Sequence, residues 1–340
     1  MRTAVIGLGL IGGSLLRALA GTGHAVLGYD ADPATRAMAR TAAAKAPAGR
    51  RWQVTGTVRD AMAGADLVVL AVPLPAVPAV LDELAGAGFS GLITDVTSVK
   101  SAVRDEVHQR ARRLGKLAGF VGGHPMAGRE KAGFPAADPA LFDGCAWVLC
   151  LEPGETDLAD WLTLAGMLTT LGARVVPTTA AEHDRAVAAI SHVPHLLAAA
   201  LAELAAGDPL ALTLGAGSFR DGTRVAASPP ALTAAMCGGN AVAVRAALDA
   251  VLRSLGTARD ALDAQDPIAA LVPWLRPGAA ARAAWPPVPS EPATLPVDPD
   301  VLLRLGRAGG WVTAVAADQR SVTAARPLPA TGRPGAPGGR

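Results

Sequence analysis

Gly7-Leu8-Gly9-Leu10-Ile11-Gly12 is the feature that most restricts what this chain can become. Glycines in the pattern G-x-G-x-x-G follow an apolar run (Thr3 to Ile6) and precede a stretch with helical spacing. That order predicts a strand, a tight turn and a helix beginning near Gly12. The first glycine makes the turn, the second lets a pyrophosphate approach the backbone, and the third lets helix and strand pack closely, with the anion at the helix N-terminus. A second predicted strand ends in Gly28-Tyr29-Asp30, and Asp30 lies 18 residues past Gly12. An acid at ~20 residues is placed to bind a ribose 2′-hydroxyl. Gly7, Leu8, Gly9, Leu10, Ile11, Gly12 and Asp30 are thus candidate cofactor-binding residues. The alternative is a glycine-rich turn with Asp30 as a helix N-cap. Asp30 would repel a 2′-phosphate, and Ala31 and Asp32 offer no arginine to receive one, so NAD is expected over NADP.

The alternation continues downstream. Ala25 to Tyr29, Leu67 to Ala71, Leu92 to Thr94, Phe120 to Val121, Ala146 to Leu149 and Arg174 to Val176 read as strands. Pro33 to Ala46, Pro75 to Ala85, Val99 to Leu114 and Asp157 to Leu171 between them have helical spacing. Such alternation predicts an α/β fold over residues 1–178, a mainly parallel sheet covered on both faces, with the glycine motif marking it as a dinucleotide-binding domain. From Thr179 the strand signal stops. Ala181 to Ala206, Pro209 to Leu214, Pro230 to Met236 and Asn240 to Gln265 predict an all-helical domain over residues 179–276, of the kind that carries a dimer contact. Residues 277–340 hold 11 of the 27 prolines and read as a linker and tail, with one short helix at Pro299 to Arg307 and a strand at Trp311 to Val315.

Two domains suit a chain of 340 residues. Lys and Arg (31) nearly balance Asp and Glu (29), so no broad basic field exists to hold nucleic acid or an anionic membrane surface. The most apolar run, Leu67 to Leu81, is broken by Pro73, Pro75 and Pro78 and is too short to span a bilayer. Ala4 to Leu16 carries too many glycines for a secretory signal. Cys145, Cys150 and Cys237 are odd in number and sparse, which argues for a reducing, cytoplasmic setting.

The candidate chemistry lies at predicted strand ends. Val72 and Pro73 follow a strand at the carboxyl edge of the sheet, where ligands of open α/β sheets bind; core and turn is the equal alternative. Ser98, in Asp95-Val96-Thr97-Ser98-Val99-Lys100, sits at a predicted helix N-cap on that edge. His124 lies in Gly122-Gly123-His124-Pro125-Met126-Ala127-Gly128, with a fixed backbone and little bulk around the ring, which suits a base that accepts a proton from a substrate hydroxyl. His183, His192 and His195 crowd the start of the helical region. A metal is disfavoured because Pro194 disturbs the helix and no cysteine or second carboxylate completes a tetrahedron; structural hydrogen bonding or a substrate contact remains. Arg220 and Arg224, four apart in a polar interruption, could clamp carboxylates, pair with Asp221 or simply face solvent.

Taken in order, G-L-G-L-I-G-G-S at 7–14, D-V-T-S-V-K at 95–100, G-G-H-P-M-A-G at 122–128, H-D at 183–184, S-H-V-P-H at 191–195 and F-R-D-G-T-R at 219–224 resemble the prephenate/arogenate dehydrogenase family of tyrosine biosynthesis over about residues 1–255. The resemblance implies a Rossmann-like N-terminal domain, a helical domain that makes a homodimer, and an NAD-dependent oxidative decarboxylation of prephenate to 4-hydroxyphenylpyruvate, with arogenate as the alternative substrate. It implies His124 as the catalytic base, Ser98 as a serine bonding that histidine near the nicotinamide, Arg224 as the holder of the ring carboxylate and His195 as a further substrate contact. The chain departs from the pattern at Arg129, where relatives often carry a small polar residue, and at Thr233, where many carry Trp. Both fall where the substrate side chain is expected, so Arg129 joins Arg220 as a candidate substrate contact. The tail is too short for a complete regulatory ACT domain. A β-hydroxyacid dehydrogenase, the rival enzyme, uses a lysine of its helical domain, and no Lys follows Lys131 here. A non-catalytic NAD sensor would have no need of Ser98, His124 and Arg224 together.

Overall fold

The computed structural model describes residues 1–114, 119–128 and 131–328. Strands β1 (Arg2–Ile6), β2 (Ala25–Tyr29), β3 (Gln53–Val54), β4 (Leu67–Leu70), β5 (Leu92–Asp95) and β6 (Phe120–Val121) form one sheet in the order β3-β2-β1-β4-β5-β6, every pair parallel. Helices α1 (Leu10–Gly21), α2 (Pro33–Lys45), α3 (Val58–Met62), α4 (Val77–Gly86) and α5 (Ser101–Leu114) make the crossovers. All four residues of β4 are buried, because a parallel strand covered on both faces has no polar side to alternate with. The strand order reverses between β1 and β4, and the crevice at their carboxyl ends is where such sheets take a nucleotide.

A second sheet continues the chain. β7 (Gly123–Pro125) runs antiparallel to β8 (Ala146–Cys150), which leads through α6 (Leu158–Thr170) to the parallel β9 (Arg174–Thr178). Residues 277–340, expected as linker and tail, depart from that expectation. The helix and strand predicted there occur as α14 (Pro299–Arg307) and β11 (Trp311–Val315), but β10 (Ala293–Pro296) and β12 (Ser321–Ala325) join them, extending the sheet to β10-β12-β11-β9-β8-β7. Leu302, Leu303, Leu305, Val312 and Val322 enter the same core as Trp147 and Trp161. The prolines mislead because they occupy permitted positions: Pro299 opens α14 behind the N-cap Asp298, and Pro296 ends β10. Residues 329–340 of the expected tail lie outside the described residues.

Between these strands lie helices α7 (Ala180–Val187), α8 (Val193–Ala205), α9 (Pro209–Leu214), α10 (Gly217–Thr223), α11 (Pro230–Gly239), α12 (Ala241–Leu262) and α13 (Pro267–Ala283). α7 starts on a capping box, with Thr179 and Glu182 each serving the other's backbone N–H. One wide π-helical turn, Ala188–His192, joins α7 to α8 just ahead of Pro194, whose missing N–H a regular turn would have required. α13 runs past the expected limit of residue 276. It carries Pro273 and Pro277 inside, both exposed, so water can satisfy the carbonyls they leave unpaired.

Candidate active site

The glycine loop is built by steric necessity. Gly7 has φ +99, and a Cβ there would lie 2.4 Å from the Ala71 carbonyl oxygen at the end of β4. A Cβ on Gly12 would lie 1.9 Å from the Gly7 oxygen, whereas one on Gly9 would meet nothing within 4 Å. The open face is therefore at Gly9, the N-cap of α1, whose first turn has no side-chain cap. Its unpaired N–H groups, with Leu10 and Ile11 half-buried beside them, make an anion seat of pyrophosphate type. Leu8 is fully buried and contributes its backbone N–H, which donates to Asp30 Oδ2 at 2.7 Å. Asp30 Oδ1 accepts from Asp32 N, and it is Asp32 that caps α2, so Asp30 keeps lone pairs toward the crevice instead of serving as the N-cap. Val72 is half-buried, packs on the core beneath β4 and also flanks Gly7, while Pro73 is exposed.

His124 stands in β7, which follows β6 at the carboxyl end of the first sheet and pairs with β8 in the second. The preceding residue is held on both sides: Asp95 Oδ1 accepts from Gly123 N at 3.1 Å, and Lys100 Nζ donates to Gly123 O at 2.6 Å. Lys100 and Asp95 are fully buried and form an ion pair with each other. A Cβ at Gly123 would lie 2.6 Å from the Asp95 carbonyl oxygen, so only glycine admits this approach. The half-buried His124 ring meets His183 edge-on, Nδ1 to Nε2 at 2.9 Å, and its own Nε2 makes no hydrogen bond among the described residues. Burial first, then the neighbouring His183 and Lys100, push the His124 pKa well below its ordinary value, leaving a neutral imidazole.

His183 Nδ1 in turn meets Asp184 Oδ1 at 2.8 Å. Asp184 also accepts from Lys100 N and Ser101 N, both at 2.8 Å, and so caps α5 from the helical region. Ser98, expected at that cap, lies three residues before the helix and is half-buried. Its side chain makes no hydrogen bond to His124. The cap passes to Asp184 because Val99 and Lys100 turn inward and leave the helix mouth facing α7.

His195 donates Nδ1–H to the Ser191 carbonyl at 2.9 Å, which leaves Nε2 as an acceptor. His192 is fully buried, bonded through Nδ1 to Asn240 Nδ2 at 3.2 Å, which also donates to the Asp184 carbonyl at 2.7 Å. Arg224 opens a 3-10 turn packed against α8 and is exposed; Arg220 is exposed on α10 beside Asp221. Arg129 lies outside the described residues. The structure thus joins His124 to His183, Asp184, Lys100 and Asp95, while Ser98 and Arg220 stand apart from that chain of bonds. The sequence signal for Lys100 and Asp184 was their place in the D-V-T-S-V-K and H-D motifs, but nothing local tells that both are buried. Among the described residues no group of three or more His, Cys, Asp or Glu is arranged to hold a metal.

The architecture is a parallel sheet of dinucleotide-binding type with a histidine site at its carboxyl edge and a helical region packed against it. Residues 13–177 match the family model described as "Prephenate dehydrogenase, nucleotide-binding domain", and residues 179–276 match "Prephenate dehydrogenase, dimerization domain". The chain belongs to the prephenate dehydrogenase family. It is 35% identical over 235 residues to the prephenate dehydrogenase of Bacillus subtilis, covering 66% of this chain but 60% of that relative's length. A Corynebacterium glutamicum structure, a candidate prephenate dehydrogenase, superposes with a TM-score of 0.75 at 35% identity, covering 84% of this chain and 87% of that one. The Aquifex aeolicus prephenate dehydrogenase in complex with hydroxyphenyl propionate and NAD+ superposes with a TM-score of 0.72 at 26% identity, covering 83% and 97%.

Proposed function

We propose that the chain is a cytoplasmic, homodimeric, NAD-dependent prephenate dehydrogenase of tyrosine biosynthesis. The observation that carries this reading is the neutral His124 ring with an unbonded Nε2 at the ligand edge of the sheet. His124 Nε2 takes the proton of the substrate's 4-hydroxyl as C4 is oxidised. When bound at the glycine loop, NAD+ would supply the acceptor for the hydride that leaves C4. Loss of the ring carboxylate as carbon dioxide then makes the ring aromatic, so the protein has only to orient the ring and start the oxidation. Arg224 supplies the cation for that carboxylate, and His195 Nε2 is free to meet a polar group of the substrate. Asp30 takes the ribose hydroxyls and the α1 N-terminus the pyrophosphate.

The dimer is supported by the apolar surface of the helical region, where Leu204, Leu214, Val242 and Ile268 are all two-thirds or more exposed. Ala180–Ala205 is long and apolar enough to cross a membrane, but it carries His183, Asp184 and His192 into buried hydrogen bonds, which fits a docked helix and not a span. Cys145, Cys150 and Cys237 are free, in keeping with a reducing compartment.

Incubation with NAD+ and prephenate, with arogenate in a parallel reaction, is the test. NADH formation from prephenate with His124→Asn inactive and NAD affinity retained is the expected result. Turnover of arogenate alone would move the reading to that substrate, and no turnover of either would overturn it.

A further inference from the structure

The segment His183-Asp184 lies 59 positions from His124 yet ends against its ring. Asp184 accepts from Lys100 N, Ser101 N and His183 Nδ1, all at 2.8 Å, and its carboxyl is held down at about 2 despite burial by these hydrogen bonds. An ionised carboxylate only accepts, so the proton in the Asp184–His183 contact sits on His183 Nδ1. Burial keeps His183 neutral by lowering its pKa, so its Nε2 is an acceptor, and the proton in the His183–His124 contact sits on His124 Nδ1. His124 Nε2 is left with the lone pair. The reverse assignment would need an imidazolium at His183, buried and beside Lys100.

Resting on the reaction proposed above, we infer that His183 and Asp184 are positioning residues that lock His124 in the tautomer presenting Nε2 as the base toward the substrate hydroxyl. A neutral imidazole without such a partner places its proton mainly on Nε2, the nitrogen that has to be bare. The pair also ties catalysis to domain seating, since the carboxylate that orients His183 is the one that caps α5 of the nucleotide-binding region. The groups facing these two rings are Lys100 from the turn just before α5, Asp95 from β5, Asp184 from α7 and His192 from the π-helical turn.

Long-range proton–nitrogen NMR on histidine-labelled protein without substrate tests the tautomer directly, with His124→Asn assigning the His124 ring signals. The expected result is a His124 ring protonated on Nδ1 in the unaltered enzyme; protonation on Nε2 would overturn the inference even if every variant proved insoluble. In kinetics, His183→Phe keeps the ring volume and removes the acceptor. We expect kcat to fall about 100-fold or more, as for other mis-set histidine bases, with KM for substrate and for NAD+ within about threefold. His183→Gln, whose amide oxygen can accept from His124 Nδ1, should recover at least about tenfold of that loss. A folded His183→Phe with kcat within about threefold of the parent would also overturn it. The NMR result does not depend on which substrate is used, so failure of the assigned reaction and failure of the tautomer lock are separately visible.

Discussion

Lys100→Met is the perturbation that most sharply tests how the site is held. The Lys100 side chain has no exposed surface, and Nζ pairs with Asp95 while donating to Gly123 O at 2.6 Å and Thr97 Oγ1 at 3.2 Å. Methionine fills nearly the same space, so the change removes charge and donors without opening a cavity. Two costs follow. The Asp95 carboxylate, equally buried, keeps only Gly123 N, Thr97 N and Thr97 Oγ1 as partners, and an uncompensated buried charge costs ~3–5 kcal/mol. The Gly123 carbonyl also loses its donor, a deficit of ~1–3 kcal/mol that overlaps with the first. Urea unfolding at pH 7.5 and fixed protein concentration should therefore show a loss of about 4 kcal/mol, a large share of a typical domain's stability. The double variant Lys100→Met/Asp95→Asn should be milder than Lys100→Met alone, because the orphaned charge is gone. A loss under ~1 kcal/mol in Lys100→Met, or a double variant worse than the single, would refute the account of Lys100 and Asp95 as mutually compensating.

Acid should weaken the fold in two stages. Burial holds His192 at about 4, His183 also below its ordinary value, and both stay neutral in the native state. The unfolded chain binds these protons first, so stability is complete above about 6.5, the ordinary histidine value, and falls as pH drops toward 4. Asp184, held at about 2, adds a further loss below the ordinary carboxylate range; a pH series of thermal unfolding that stayed flat from 7 to 4 would contradict this. In the C-terminal segment, a Cβ on Gly306 would lie 1.7 Å from the Pro177 carbonyl oxygen, so Gly306→Ala must push α14 off β9. Its melting temperature should drop by several degrees, and an unchanged value would mean that α14 does not seat there.

Local rules account for much of what is legible in the sequence. The glycine loop, Asp30 and the strand-helix alternation are set by short-range sterics and hydrophobic period, and each occurs where those rules put it. The C-terminal strands are harder to read, because β10 is short and bounded by Pro292 and Pro296, and both it and β12 join the sheet by pairing outward from β9, more than a hundred residues earlier. The capping of α5 departs from the local pattern for a related reason: Ser98 is a good capping residue by type, but Asp184 reaches the helix mouth from across the domain junction.

The sequence by itself determined that this chain folds as a nucleotide-binding sheet followed by helices and that a histidine held between glycines waits at the sheet edge. Those properties depend on residues near one another along the chain. Tertiary structure alone decided which nitrogen of His124 is bare, which carboxylate is ionised and that a lysine is sealed inside. Proton position and ionisation depend on burial and on partners brought together from distant segments, and no local pattern encodes either.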